Sequence, residues 1–374
     1  MVSGRIEYEG ERACFRPSVP VLPRLEDVQE PLQRAIAGVR EFDRLLAEWP
    51  HPGMVGRLFA RLDAVHSAGA EGATTTFTEL MEFETSERRA PDPTDAAAVA
   101  ACAEAFNTEQ GTDLVDTALK LHRKLFERSL KPAEKASAGH LKERPNATQD
   151  SSAPNGFFHY TKPASVAAAM AEWQDFTMAA DPRSPEILRQ AVSHWMFEHI
   201  HPFYDGNGRL GRLLIPLTMK LKGATRSACA FIGEAVFEDK DVYVGALKEA
   251  RTSSDWTSYA RTILTFVAQT AEHNIGRIAG LRKIEAEWQA RLRGYRKDAR
   301  IHIVARFALT CPAFTIDDAK RLTGGSWANN NLAVVKLVEL GILRVPNDRR
   351  RSRIFHADEV LDVFDRFRGP RPSP

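Results

Sequence analysis

A mainly α-helical protein is what this sequence of 374 residues predicts. Three observations predict it. Between Ala101 and Gln269, segment after segment spaces its apolar residues three and four apart, the period of a helix with one buried face. The extended-looking pieces are short and fall between those segments. No period of about 20–50 residues repeats, which removes a solenoid.

In chain order, prolines at 17, 20, 23 and 31 read as an extended lead-in. From Val28 the stripe Leu32, Ile36, Val39, Phe42 and Leu45–Leu46 predicts a first helix, broken by Trp49-Pro-His-Pro-Gly53. Met54, Leu58, Leu62 and Val65 share a face of a second helix over about 54–72. Arg88–Ala101, with its charges, prolines and alanine run, reads as a soft boundary. Then come Leu114–Phe126, Ser165–Met178, Ser184–His199 and Leu210–Lys222, with Ser184-Pro185 as a candidate helix start. Residues 131–163 read as a loop or small hairpin. A basic amphipathic helix is expected near 276–297.

Beyond it, Ile301–Leu309 is helical in period, and Thr315-Ile-Asp-Asp318 has the form of a capping box. Ser326 opens a further helix to Leu340. Ile342–Val345 and Arg353–His356 then read as two strands around a charged wing. Three helices and a hairpin in that order make a winged helix-turn-helix. The expected domains are 1–100, 101–275 and 276–374.

Composition narrows the setting. No apolar run approaches the roughly 18–20 residues of a membrane span, so no membrane contact is expected. The N-terminus lacks the apolar stretch of a secretory leader. Four scattered cysteines, Cys14, Cys102, Cys229 and Cys311, read as reduced thiols of a cytoplasmic protein. Net charge is +2, but residues 276–374 hold 20 Lys/Arg against 11 Asp/Glu, which points to contact of this part with nucleic acid, with a solvated basic surface as the other reading.

The chemistry is concentrated in His201-Pro-Phe-Tyr-Asp-Gly-Asn-Gly-Arg-Leu-Gly-Arg212. Gly206 and Gly208 flank Asn207 and let backbone approach a ligand, with amide hydrogens free to point outward. A helix starting there adds positive potential suited to phosphates. Arg209 and Arg212, three apart, reach one anion from one face. Asp205 offers a hard oxygen of the type that holds Mg²⁺ on nucleotide phosphates. His201 is a candidate base for an incoming hydroxyl. Any one of these pieces is commonplace; their conjunction within twelve residues points to phosphoryl-type transfer.

This stretch resembles the signature of the Fic family, H-P-F-x-[D/E]-G-N-G-R-x-x-R, at every specified position. The resemblance implies a Fic-type helical core with a β-hairpin flap, and transfer of AMP from ATP to Ser, Thr or Tyr hydroxyls of a target protein or of the chain itself. It implies that His201 is the base, Phe203 an apolar anchor and Asp205 the Mg²⁺ ligand. Gly206, Asn207 and Gly208 would form the anion cradle, with Arg209 and Arg212 on the outer phosphates. Related Doc proteins, which phosphorylate, typically have Lys where Gly208 stands. Upstream, Ser67-Ala-Gly-Ala-Glu71-Gly72 resembles the family's inhibitory helix, [S/T]-x-x-x-E-[G/N], and implies that Glu71 pairs with Arg212. Glu238–Tyr243 resembles a segment near the adenine, which makes Tyr243 a candidate for the base pocket; a packed core tyrosine is the other reading. The flap departs from the family's Gly-x-[Phe/Tyr]-Arg, reading Gly139-His-Leu-Lys142 with Pro145 close behind.

The expectation is an autoinhibited protein adenylyltransferase using ATP and Mg²⁺, with a second copy of the chain as a further candidate partner. Two alternatives stay open: a nucleotide-sensing DNA-binding regulator acting through residues 300–366, and the same core using another donor or removing AMP. On the DNA reading, Trp327, Asn329, Asn330 and Asn331 would face bases, and Arg349, Arg350, Arg351 and Arg353 phosphates.

Overall fold

The computed structural model describes residues 3–86, 95–105, 111–127, 131–346 and 353–365. The chain opens with a hairpin, β1 (Gly4–Glu9) and β2 (Arg12–Pro17), turning at Gly10, whose φ of +58° suits glycine. Helices after an extended lead-in, and no strand, were expected in residues 1–100, and this hairpin corrects that. Its signal is inverted: Ile6 and Tyr8 face solvent, while Cys14, Phe15 and Arg16 are buried. On β1, apolar patterning therefore points away from the core.

The helices then follow. They are α1 (Gln29–Ala47), α2 (Pro52–Gly69), α3 (Phe77–Ser86), α4 (Asp95–Ala105), α5 (Leu114–Phe126) and the short α6 (Pro132–Ser137). Two three-residue strands, β3 (Ala147–Gln149) and β4 (Phe157–His159), fill the stretch read as a loop or hairpin. β2 runs parallel to β4 through Cys14 and His159, giving one sheet in the order β1-β2-β4-β3. The flap is thus part of a four-stranded sheet rather than a lone hairpin.

After it come α7 (Pro163–Met178), α8 (Glu186–Ile200), α9 (Asn207–Leu221), α10 (Gly233–Glu238), α11 (Lys240–Ser253) and α12 (Trp256–Arg291). Ser184 does not cap α8, which begins one residue after Pro185 without a side-chain cap. α12 runs 36 residues without a break and packs along α1. The boundary expected at 275/276 falls inside it, because Gly276 alone, with no proline, does not end a helix held on both sides.

The remaining elements are α13 (Arg300–Thr310), β5 (Ala313–Phe314), α14 (Ile316–Thr323), α15 (Trp327–Glu339), β6 (Phe355–His356) and α16 (Asp358–Asp365). Thr315 and Asp318 form the expected capping box, and Ser326 caps α15 through the Asn329 amide. β5 pairs antiparallel with β6, while Ile342–Val345 contributes a single bridge, Arg344 to His356. No helix among the described residues is long and apolar enough to cross a membrane.

The core centres on α8, buried from Ile187 to Ile200, between α7, α9 and α12. Several of its polar groups are satisfied internally. Ser193 meets Thr177 at 2.6 Å, and Arg189 donates to the Phe176 carbonyl at 3.2 Å. With α8 immobilised in this way, its C-terminus delivers the following loop to a fixed place.

Candidate functional site

α8 ends at His201, a non-glycine residue in the left-handed region (φ +50°). The turn that follows is stapled by Asn207, whose Oδ1 accepts from the Phe203 amide (2.9 Å) and whose Nδ2 donates to the Phe203 carbonyl (2.8 Å). The Asn207 side chain is therefore a brace, 2% exposed. Phe203 is fully buried and stacks on His122, with centroids 3.9 Å apart. This contact packs the loop against α5.

His122 was missed by sequence reasoning because α5 lies some 80 residues upstream. It accepts from the Gly139 amide at Nδ1 (2.9 Å), so Nε2 carries the proton and donates to the Asp205 carbonyl (3.1 Å). Burial holds this imidazole down to about 4, which keeps it in that neutral form.

His201 is held as a neutral imidazole. Its Nδ1 lies 3.1 Å from the Glu198 carbonyl, which places the proton on Nδ1 and leaves the Nε2 lone pair free. Burial, and then the Lys142 amine, lowers its pKa to about 3. Asp205 is 55% exposed at its side chain, with the Gly206 amide donating to Oδ1 (2.5 Å) and Arg209 Nη2 at 3.3 Å. A half-exposed carboxylate beside a helix start fits a hydrated Mg²⁺ held by one protein oxygen. Gly206 has a φ of +76°, and a side chain there would meet the Phe126 ring at 2.6 Å. Arg209 lies over that same ring, 5.1 Å from its centroid.

Arg212 is 2% exposed and faces α2. Nε donates to Ser67 Oγ (2.8 Å), and Nη2 to the Ser67 carbonyl (2.8 Å) and Glu71 Oε1 (2.7 Å). α2 ends at Gly69, earlier than expected. Glu71 and Gly72 continue in turns, with Gly72 at φ +99°. Burial pushes the Glu71 carboxyl up, but Arg212 outweighs it and the net shift is down. A Cβ on Gly208 would run into Glu71 Oε1, so the carboxylate occupies the space that this glycine leaves. The structure thus brings Ser67, Glu71, Gly208 and Arg212 together with the loop.

Tyr243 lies against the Arg212 side of the site, where Arg212 is one of the charges acting on its phenol. It is 5% exposed, and its hydroxyl meets His194 Nε2 at 2.8 Å. Its burial fits the packed tyrosine of the alternative reading, and its neighbour Arg212 keeps it beside the candidate site. In the C-terminal part Asn330 is fully buried. It accepts from Arg300 Nε (3.0 Å) and donates to the Gly324 and Ser326 carbonyls, so it reads no base. Arg349, Arg350 and Arg351 lie outside the described residues.

The family model described as Fic/DOC matches residues 112–219. Over 64 residues the chain is 36% identical to a probable protein adenylyltransferase of Aquifex aeolicus, covering 17% of this chain and 18% of that protein. Over 58 residues it is 45% identical to the protein adenylyltransferase fic-1 of Caenorhabditis briggsae, covering 15% and 11%. The matches thus span less than a fifth of those relatives. The fold is similar to the crystal structure of a Fic family protein from Desulfovibrio desulfuricans G20, with a TM-score of 0.59 at 15% identity over 90% of this chain and 98% of that one.

Proposed function

Residues 112–219 make the chain a Fic-domain protein, and from that premise we propose that it is an autoinhibited protein adenylyltransferase. It moves AMP from ATP to a hydroxyl of a target protein or of itself. The observation that carries the reading is a neutral His201, with Nε2 free, on the same braced loop as Asp205 and the glycine-lined start of α9.

The hydroxyl oxygen attacks the α-phosphorus as its proton passes to His201 Nε2. The bridging bond to the β-phosphate breaks, and pyrophosphate leaves. Backbone amides at the α9 start and Arg209 hold the phosphates. Mg²⁺ held by Asp205 would neutralise charge on the phosphate oxygens. In the resting state Glu71 keeps Arg212 from the outer phosphate and fills the space over Gly208.

Two measurements test this. Glu71→Gly incubated with ATP and Mg²⁺ gains the mass of AMP in intact-mass analysis, and Glu71→Gly/His201→Ala gains none. No label on Glu71→Gly with any nucleotide would sink the reading. Competition among nucleotides separates ATP from other donors, and loss of AMP from a premodified protein exposes the reverse activity.

For residues 300–366 we read a winged-helix module that docks protein. Trp327, Leu332 and Val335 are exposed on α15, and the buried Asn330 removes one base-reading group. Duplex binding by the full chain, salt-dependent and stronger than to a neutral polymer, would favour the DNA regulator instead.

A further inference from the structure

Lys142, Asn146 and Tyr160 play no part in the steps above, yet all three bear on the base. Four consecutive carbonyls of the strained turn accept hydrogen bonds from two of these residues. Lys142 Nζ donates to Ile200 O (3.3 Å) and its amide to Pro202 O (2.9 Å). Asn146 Nδ2 reaches His201 O (3.4 Å) and Phe203 O (2.8 Å). The pair is itself tied, Lys142 Nζ to Asn146 Oδ1 at 2.6 Å. The Tyr160 amide donates to Asn146 O (3.2 Å), and its ring lies on the His201 imidazole, 3.8 Å between centroids and 7° from parallel.

We propose that Lys142, Asn146 and Tyr160 are positioning residues that clamp His201 in its reactive pose, linking the base to the strand pair β3–β4. The reasoning is geometric. A left-handed turn at a residue other than glycine persists only where its surroundings over-determine it, and donors on four carbonyls do that. The Nδ1 bond to Glu198 fixes one direction within the imidazole plane, and the Tyr160 ring fixes the plane. Nε2 then has one direction left. A tyrosine that only filled space would have no cause to lie parallel to the base. Lys142 is 3% exposed and has no carboxylate partner among the described residues; its amine is spent on the turn.

This inference rests on AMP transfer as the reaction, so its test has two arms. In the Glu71→Gly background, Tyr160→Ala is expected to lower kcat on the order of 10²-fold, the loss that misplacing a reacting group by about 1 Å brings, with KM for ATP unchanged. Tyr160→Phe, which keeps the ring, recovers most of the rate.

The second arm needs no turnover. In ¹³C-histidine-labelled full chain, the His201 Hε1 resonance, assigned by its loss in His201→Gln, lies upfield under the shielding ring. It moves to the ordinary imidazole position in Tyr160→Ala and stays in Tyr160→Phe. An unlabelled Glu71→Gly would defeat the reaction and leave this arm to decide the clamp. An unshifted resonance in Tyr160→Ala, or an unchanged kcat, overturns the proposal.

Discussion

Glu198, in the last turn of α8, shows how one buried group shapes this site. Its side chain is 9% exposed, and burial pushes its carboxyl up to about 8 against the partial pull of Arg212. A folded chain then keeps a proton that the unfolded chain releases near 4.5. Between those values the folded state binds more protons, so this group's contribution is fully present below about 4.5 and is lost as pH rises toward 8. Glu198→Gln removes the titration. In urea unfolding, its midpoint should gain on the parent progressively from pH 5 to pH 8, and parallel curves would contradict the assignment. Gly211 faces the same carboxyl; a Cβ there would collide with Glu198 Oε1. Gly211→Ala should therefore lower stability by about 1–3 kcal/mol, the usual range for overpacking a filled core, although alanine suits a helix better than glycine does.

At the scale of elements, α2 is seated by more than its latch. Asp63 Oδ1 accepts from the Gly233 amide at 2.7 Å, and His66 stacks on Phe237 with centroids 5.6 Å apart. Gly69 presses on the same ring: a Cβ there would lie 2.7 Å from Phe237 Cε2. Gly69→Ala sets two effects against each other. Helix propensity favours alanine by about 0.5–1 kcal/mol, while overpacking costs about 1–3 kcal/mol, so the clash wins and α2 shifts on α10. AMP incorporation should rise above the parent but stay below Glu71→Gly. Parent-level labelling with a lowered urea midpoint would show that the seat and the latch are uncoupled. These elements also show what the sequence could reveal. α5 falls on the expected Leu114–Phe126 because its apolar stripe is uninterrupted, and the His201–Arg212 loop was legible because its groups adjoin along the chain. His122 and Tyr160 were not read, since packing alone brings them to the loop from α5 and the flap; Lys142 was read only as a departure of the flap, and Glu198, three residues before His201, went unread because its burial carries no local signal. The N-terminal hairpin stayed hidden because Ile6 and Tyr8 face outward. α12 was split because the change of charge after residue 275 is no change of backbone.

Across the whole molecule, the buried titratable groups predict how stability follows pH. Burial lowers five histidines: His66 and His122 to about 4, and His194, His199 and His201 to about 3, each from 6.5. Below 6.5 the unfolded chain takes up protons that these five refuse, so their contribution is present above 6.5 and is lost as pH falls. Two acids oppose them over part of that window, Glu198 held up to about 8 and Asp63 to about 7, both by burial. Five less two leaves a net uptake on unfolding of up to three protons near pH 5. That corresponds to a slope of up to about 4 kcal/mol per pH unit, stability rising with pH. Above 7 the histidines are neutral in both states, and Glu198, with the last part of the Asp63 titration, still favours unfolding as pH climbs. Lys142, brought down from 10.5 to about 7 by burial, is neutral when folded and charged when unfolded, and so acts in the opposite sense over the same range. Lys142 offsets most of that loss. Urea midpoints should therefore climb steeply from pH 4.5 to 6.5 and change little from 7 to 8. Lys142→Met should turn that plateau into a gentle decline, because Glu198 then acts unopposed. A flat profile between pH 4.5 and 6.5 would mean that the five imidazoles are not buried as neutral groups, and the neutral His201 on which the proposed chemistry depends would fail with them.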